Sequence, residues 1–290
     1  MPMLIQQIQP ELVGGIDNLP NRLRLEAVGH GLTEAECDVL VATLPPELAA
    51  CDCFLDRLTG LWRYEFGEPH RVGNELIWGA HMWLSVPVLY DVLQCARSRL
   101  PPEKLAAYLA LLARPGKHPD HLAEMFPVLR IAPGLQVQHE IAGFGQGNRT
   151  VDWVIGPVEQ RPVILDVKRR LADFFGQMER IAAEGAVPPE HDVTLLFRSV
   201  EGKFQASDPA DRLQGAWIVT DIKQEQAELH AAFDGLDPAK VHFAILGDKE
   251  PDVYLLTRRP EDRQFIIELL GLTESDRFIF TRAATNNQQE

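Results

Sequence analysis

The spacing of apolar positions changes character near residue 115 of this 290-residue chain. Before that point apolar residues recur at helical intervals. Thr33-Glu-Ala-Glu36 opens a stretch that runs through Val39, Leu40 and Leu44, with Thr33 in the N-cap position. The segment from Trp83 to Leu93 continues the pattern, Pro101-Pro102 interrupts it, and Glu103 to Leu112 reads as a short Ala- and Leu-rich helix. Trp62, Tyr64, Trp78 and Trp83 lie close together in the chain and read as packing residues rather than a base-stacking platform. Residues 1–115 are therefore expected to form a helical N-terminal region.

Arg114-Pro-Gly-Lys-His-Pro119, with two prolines and a glycine, is the expected boundary to a second domain over residues 116–290. His118, Asp120 and His121 resemble a metal cluster, but Asp120 reads better as the N-cap of a short helix that starts at His121. Pro127 is expected to kink or end that helix. The period then drops to two. Leu135, Val137, His139 and Ile141 alternate with Gln136, Gln138 and Glu140, and Thr150–Gly156 and Pro162–Lys168 are two further Val- and Ile-rich strands. An amphipathic helix is expected over Leu171–Glu184. Apolar runs follow at Val193–Phe197, Ala216–Thr220, Val241–Leu246 and Val253–Thr257, with helices over about Lys223–Phe233 and Glu261–Leu270. The expected class is α/β, an α+β arrangement with a mixed sheet.

Composition alters this picture little, and charge alters it more. No apolar run approaches the roughly 18 residues that span a bilayer, and no signal peptide opens the chain, so no membrane association and a cytoplasmic location are expected. Cys37, Cys51, Cys53 and Cys95 read as reduced thiols, since Cys51 and Cys53 are too close for a zinc knuckle. A net charge of −14 argues against a protein that coats nucleic acid through a basic surface, while leaving room for a local basic rim.

The candidate chemistry comes from strand register. Gly143-Phe-Gly-Gln-Gly147 is a natural hairpin tip. A turn centred on Gln146 sets Glu140 opposite Asp152, and a second connection centred on Glu159 sets Asp152 opposite Asp166. Lys168, two residues on, shares that face. Val151, Trp153, Ile155, Val163, Leu165 and Val167 would form the apolar opposite face. Carboxylates at cross-strand distance repel by about 3 kcal/mol at an effective dielectric of about 20, more than Lys168 alone offsets. A divalent cation is the simplest compensation, and oxygen-only ligands favour Mg²⁺ or Mn²⁺. Such an ion polarises a scissile phosphate and acidifies water, while the lysine orients the nucleophile. On this reasoning Asp166→Asn should abolish metal binding and leave the ion-free stability level or higher.

Thr150-Val-Asp152-Trp-Val-Ile, a loop, then Val163-Ile-Leu-Asp166-Val-Lys168 resembles the PD-(D/E)xK nuclease superfamily. The resemblance implies a restriction-endonuclease-like core of helix, three-stranded meander, helix and strand, preceded here by the helical region. It puts the two acids at Asp152 and Asp166 and the lysine at Lys168, with valine in place of proline before Asp152. The family's helix glutamate would be Glu124, with Glu140 the rival for that ligand position. Gln177 matches an auxiliary glutamine, and Arg169 and Arg170, with Arg161, are candidate phosphate contacts. A second D-x-K at Asp221-Ile-Lys223, with Asp192 as its acid, lacks the tight hairpin and is the weaker candidate; Pro119-Asp120 and Pro251-Asp252 end no suitable strand.

The implied function is a metal-dependent phosphodiesterase whose partner is nucleic acid, DNA in preference to RNA. The alternative is a catalytically silent fold that binds protein through its acidic surface, in an immunity- or antitoxin-like role, or docks into an assembly through the helical N-terminal region.

Overall fold

The computed structural model describes residues 16–55, 60–67, 70–72, 75–77, 83–132, 134–157, 160–169, 197, 199–219, 226–247 and 254–271. The chain divides into two compact units, residues 1–125 and 126–290.

The first unit is not purely helical, which corrects the expectation for residues 1–115. It contains β1 (Asp17–Asn18), α1 (Leu19–Gly29), α2 (Glu34–Ala42), α3 (Pro46–Ala49), β2 (Asp52–Leu55) and β3 (Trp62–Glu65). A small hairpin follows, β4 (His70–Val72) and β5 (Glu75–Ile77), then β6 (Trp83–Ser85), α4 (Val86–Arg99) and α5 (Pro102–Leu112). Strands β1, β2, β3 and β6 form an antiparallel sheet in that order. Three or four residues are too few to display alternation, and the aromatic cluster that includes Trp62 and Tyr64 is the kind of sequence that favours strands. Thr33 does cap α2: its hydroxyl accepts from the Glu36 N–H, and the Glu36 carboxylate accepts from the Thr33 N–H. The four cysteines are free thiols.

The segment after α5 is helical rather than a linker, and the division between the units falls within it, ten residues later than expected. Helix α6 spans His118–Arg130. The N–H groups of His118 and His121 donate to Arg114 and Lys117 carbonyls, so Asp120 lies within a continuous helix and does not start one. Pro127 lies inside α6 without ending it. One lost hydrogen bond is tolerated where Leu122, Met125, Phe126 and Val128 around it are all buried. His118 is buried between Leu112 and Tyr64. The Leu112 carbonyl can only accept, so Nδ1 carries the proton (2.6 Å), and Nε2 accepts from the Tyr64 hydroxyl (2.7 Å).

In the second unit a six-stranded mixed sheet runs in the order β7 (Val137–Ile141), β8 (Val151–Ile155), β9 (Val163–Arg169), β10 (Leu213–Val219), β11 (Phe243–Leu246), β12 (Tyr254–Thr257). The first three strands form an antiparallel meander; β9, β10 and β11 are parallel, and β12 returns antiparallel. The fold class is thus α/β with a mixed sheet. Nearly every residue of β8 to β11 is buried, as inner strands covered on both faces require. Helix α7 (Gln226–Asp234) packs Leu229 and Phe233 on Val154, Ile164, Ala216 and Ile218, together with Phe197, Val200 and Phe204. Arg258 closes the C-terminus of α7 by donating to the Phe233 and Leu236 carbonyls. Gly215 is required where β10 meets β11, since a Cβ would lie 2.2 Å from the Phe243 carbonyl oxygen. Helix α8 (Pro260–Leu269) follows β12. The helix expected over Leu171–Glu184 lies outside the described residues, and no helix among those described is long and apolar enough to cross a membrane.

Burial holds the His118 imidazole down, from 6.5 to about 4, so it is neutral in the folded state. A base whose folded value is depressed contributes stability above its unfolded value and loses it as pH falls toward the folded one. Thermal unfolding of the first unit, followed by tryptophan fluorescence, should therefore show stability falling between pH 6.5 and about 4. Tyr64→Phe, which strips the Nε2 partner, should cost about 1–3 kcal/mol at neutral pH.

Candidate functional site

The meander closes in the register expected from its turns. Val137 pairs with Ile155 and His139 with Trp153, symmetric about position 146; Trp153 pairs with Leu165 and Ile155 with Val163, symmetric about position 159. Carried one residue on, the second register sets Asp152 across from Asp166, with both on the same side of the sheet. The ladder loosens there. The Asp152 Oδ2 accepts the Val167 N–H at 2.6 Å, so a carboxylate replaces a backbone acceptor where β8 and β9 part.

Asp166 lies on β9, an inner strand, beside Ala216 of β10, and its side chain is 0% exposed. Two ammonium groups meet it: Lys168 Nζ lies 2.6 Å from Oδ2 and Lys203 Nζ lies 2.9 Å from Oδ1. Each pair attracts by about 6 kcal/mol at an effective dielectric of about 20, against a desolvation penalty of several kcal/mol per ion. Both lysines are about one-fifth exposed, so their heads keep partial contact with water. Each oxygen of the buried carboxylate thus has its own ammonium group at contact distance.

Lys203 was not anticipated from sequence. It follows the helical residues that end at Glu201, whose Phe197 and Val200 pack on the Ile164 face of the sheet, the face that carries Asp166 and Lys168. The β7–β8 hairpin tip holds it in place. Gln146 N–H donates to the Lys203 carbonyl (2.7 Å), Gly145 bridges to Phe204, and Gln205 Nε2 donates to the Gly145 carbonyl (2.8 Å). At Gly145 a Cβ would lie 2.3 Å from the Arg149 carbonyl oxygen, and Gly147 adopts a φ of 63°. The glycines of the tip thus serve both the turn and its close seating.

Glu140 shares the expected register with Asp152, but its φ of 49° turns it out of the pleat and its side chain is exposed. Glu124 belongs to the first unit and pairs with His121 at 3.0 Å. Among the described residues no three His, Cys, Asp or Glu side chains form a group able to hold a metal ion. Of the expected three-carboxylate row, the register carried past its last pair still sets Asp152 across from Asp166. Arg169 lies on the opposite face of β9 from Lys168, because adjacent strand residues alternate. Arg161 is structural: with Arg259 it binds the buried Asp262 carboxylate, and it donates to the Pro209 carbonyl (2.8 Å). Gln177, Arg170 and the rival set Asp192, Asp221 and Lys223 lie outside the described residues.

No family model matches the chain, and no curated protein and no solved structure matches it.

The second lysine reverses the sign expected for the ion-free Asp166→Asn variant. The substitution now strands two partly buried ammonium groups, so it should lower unfolding stability by about 3 kcal/mol in urea titration. Stability unchanged or raised would mean that the carboxylate is not held as an ion pair. Arg161→Ala should likewise lower stability, by about 2–3 kcal/mol, because the buried Asp262 carboxylate loses one of its two guanidinium partners.

Proposed function

We propose that residues 126–290 form a PD-(D/E)xK nuclease-like domain that hydrolyses phosphodiester bonds in DNA, or in RNA, with Mg²⁺ or Mn²⁺. The observation that carries the reading is the β8–β9 register, which, carried one residue past Trp153–Leu165, sets Asp152 across from Asp166, with Lys168 beside Asp166. The order of elements from residue 126 also favours it: the β7–β8–β9 meander, then β10 laid parallel to β9.

Two carboxylates fit Mg²⁺, which commonly takes one or two from a protein and fills its octahedron with water and substrate phosphate. The buried Asp166 oxygens, each now beside an ammonium group, would serve as ligands where an ammonium yields to the ion. When bound, such an ion supplies charge neutralisation at a phosphate oxygen. The chain's own residues do the rest. Asp152 is held in place by the Val167 N–H, and Asp166 by the rigid inner strand. Lys168, attached to Asp166 yet partly exposed, can carry positive charge to the scissile phosphate as negative charge builds on it. The phosphorus–oxygen bond to one sugar breaks as water adds, giving a phosphomonoester and a free hydroxyl.

A second reading draws on the same cluster. Lys168 and Lys203 already compensate Asp166 without any ion, as in a fold that retains the geometry and has no catalytic role. The protein would then act as an acidic binding module, with a net charge of −14 suited to a basic protein partner.

Supercoiled plasmid incubated with Mn²⁺ or Mg²⁺ separates the two. Nicking by the wild type that falls about 100-fold or more in Lys168→Ala supports the nuclease. Absence of ion-dependent cleavage across DNA and RNA substrates supports the binding module.

A further inference from the structure

Lys203 stands on the same carboxylate oxygen that a divalent ion would need. Its Nζ lies 2.9 Å from Asp166 Oδ1, while Lys168 holds Oδ2 at 2.6 Å, so no oxygen of this fully buried group lacks a cation beside it. The two lysines are anchored differently. Lys168 is part of strand β9 itself. Lys203 comes from a turn, and its backbone is fixed independently of its side chain, through Gln146, the Gly145–Phe204 bridge and Gln205. Its ammonium head can therefore leave Asp166 without disturbing the strand or the hairpin. The four-carbon stem and its partial exposure give the head somewhere to go.

We infer that Lys203 is a built-in competitor for the cation site: it occupies Asp166 Oδ1 in the ion-free protein and must withdraw when a divalent ion binds. The inference rests on the nuclease reading's assignment of the cation to Asp152 and Asp166. It adds a regulatory consequence, since the ion has to displace a fixed internal charge and the site stays neutralised until the ion is plentiful. A doubly charged ion and an ammonium on one carboxylate oxygen repel strongly in a buried setting, so joint occupancy is disfavoured.

The test is Mn²⁺ affinity, measured by calorimetry and by loss of the free-ion electron paramagnetic resonance signal, in the full-length wild type and Lys203→Met. The variant should bind Mn²⁺ about tenfold more tightly, because no ion pair has to break first. Lys203→Gln, which keeps a hydrogen-bond donor but no charge, should shift affinity in the same direction and serves if the methionine variant fails to fold. Affinity unchanged or weakened in the folded variants overturns the competitor role, while wild-type binding and cleavage would leave the nuclease reading intact. Tighter binding without cleavage of any nucleic acid keeps the competitor role and removes the nuclease. If neither wild type nor variant takes up Mn²⁺, both fall together.

Discussion

Everything in the second unit is arranged around a carboxylate on an inner strand with no exposure to solvent. Burying Asp166 costs several kcal/mol, and two lysines at contact distance offset that cost. One of them, Lys168, comes with the strand. The other must be delivered from a distant part of the chain, so the hairpin tip, the helical residues before Lys203 and the face of the sheet have to agree in position to within an ångström or so. A chain that only needed a stable core would do better with an apolar residue at this position. Its retention of a paired charge at the centre of a six-stranded sheet is the main reason to regard this place as a site.

The surrounding structure supplies the rigidity such a site needs. Inner strands β8 to β11 are buried on both faces, and Gly215 lets β10 and β11 approach closely. Away from the cluster, a second buried charge, Asp262, ties the start of β9 to the helix after β12 through Arg161 and Arg259. Arg258 closes α7 with carbonyl contacts. Of these arginines, Arg161 reads as a candidate phosphate contact in the linear sequence, and in the fold it is tied to Asp262 and the Pro209 carbonyl. The difference is one of partners: a planar guanidinium facing a buried carboxylate or a helix end is already satisfied.

The meander was legible because hairpin pairing is arithmetic. Once Gly143–Gly147 is taken as one turn and the loop at Pro157 as another, the partners of Trp153 and Ile155 follow, and the observed pairs agree. The strand runs after the crossover were legible for the same reason that they are buried, as dense apolar segments. Lys203 was not legible: nothing in its neighbourhood marks it, and its place is set by tertiary backbone contacts of Lys203 with Gln146 and of Phe204 with Gly145. The φ of 49° at Glu140 was not legible, because register alone does not report φ. The sheet of the first unit was hidden by the brevity of its strands, and the domain boundary was shifted because His118 is a buried, doubly bonded core residue rather than part of a linker.

The proposed nuclease function requires that Asp152 and Asp166 together hold a divalent ion. The most direct measurement is anomalous X-ray scattering from a crystal soaked in manganese. The account predicts a peak between the two carboxylates, with the Lys203 ammonium drawn away from Asp166. Absence of a peak there, with both lysines still seated on Asp166 at high Mn²⁺, would contradict it.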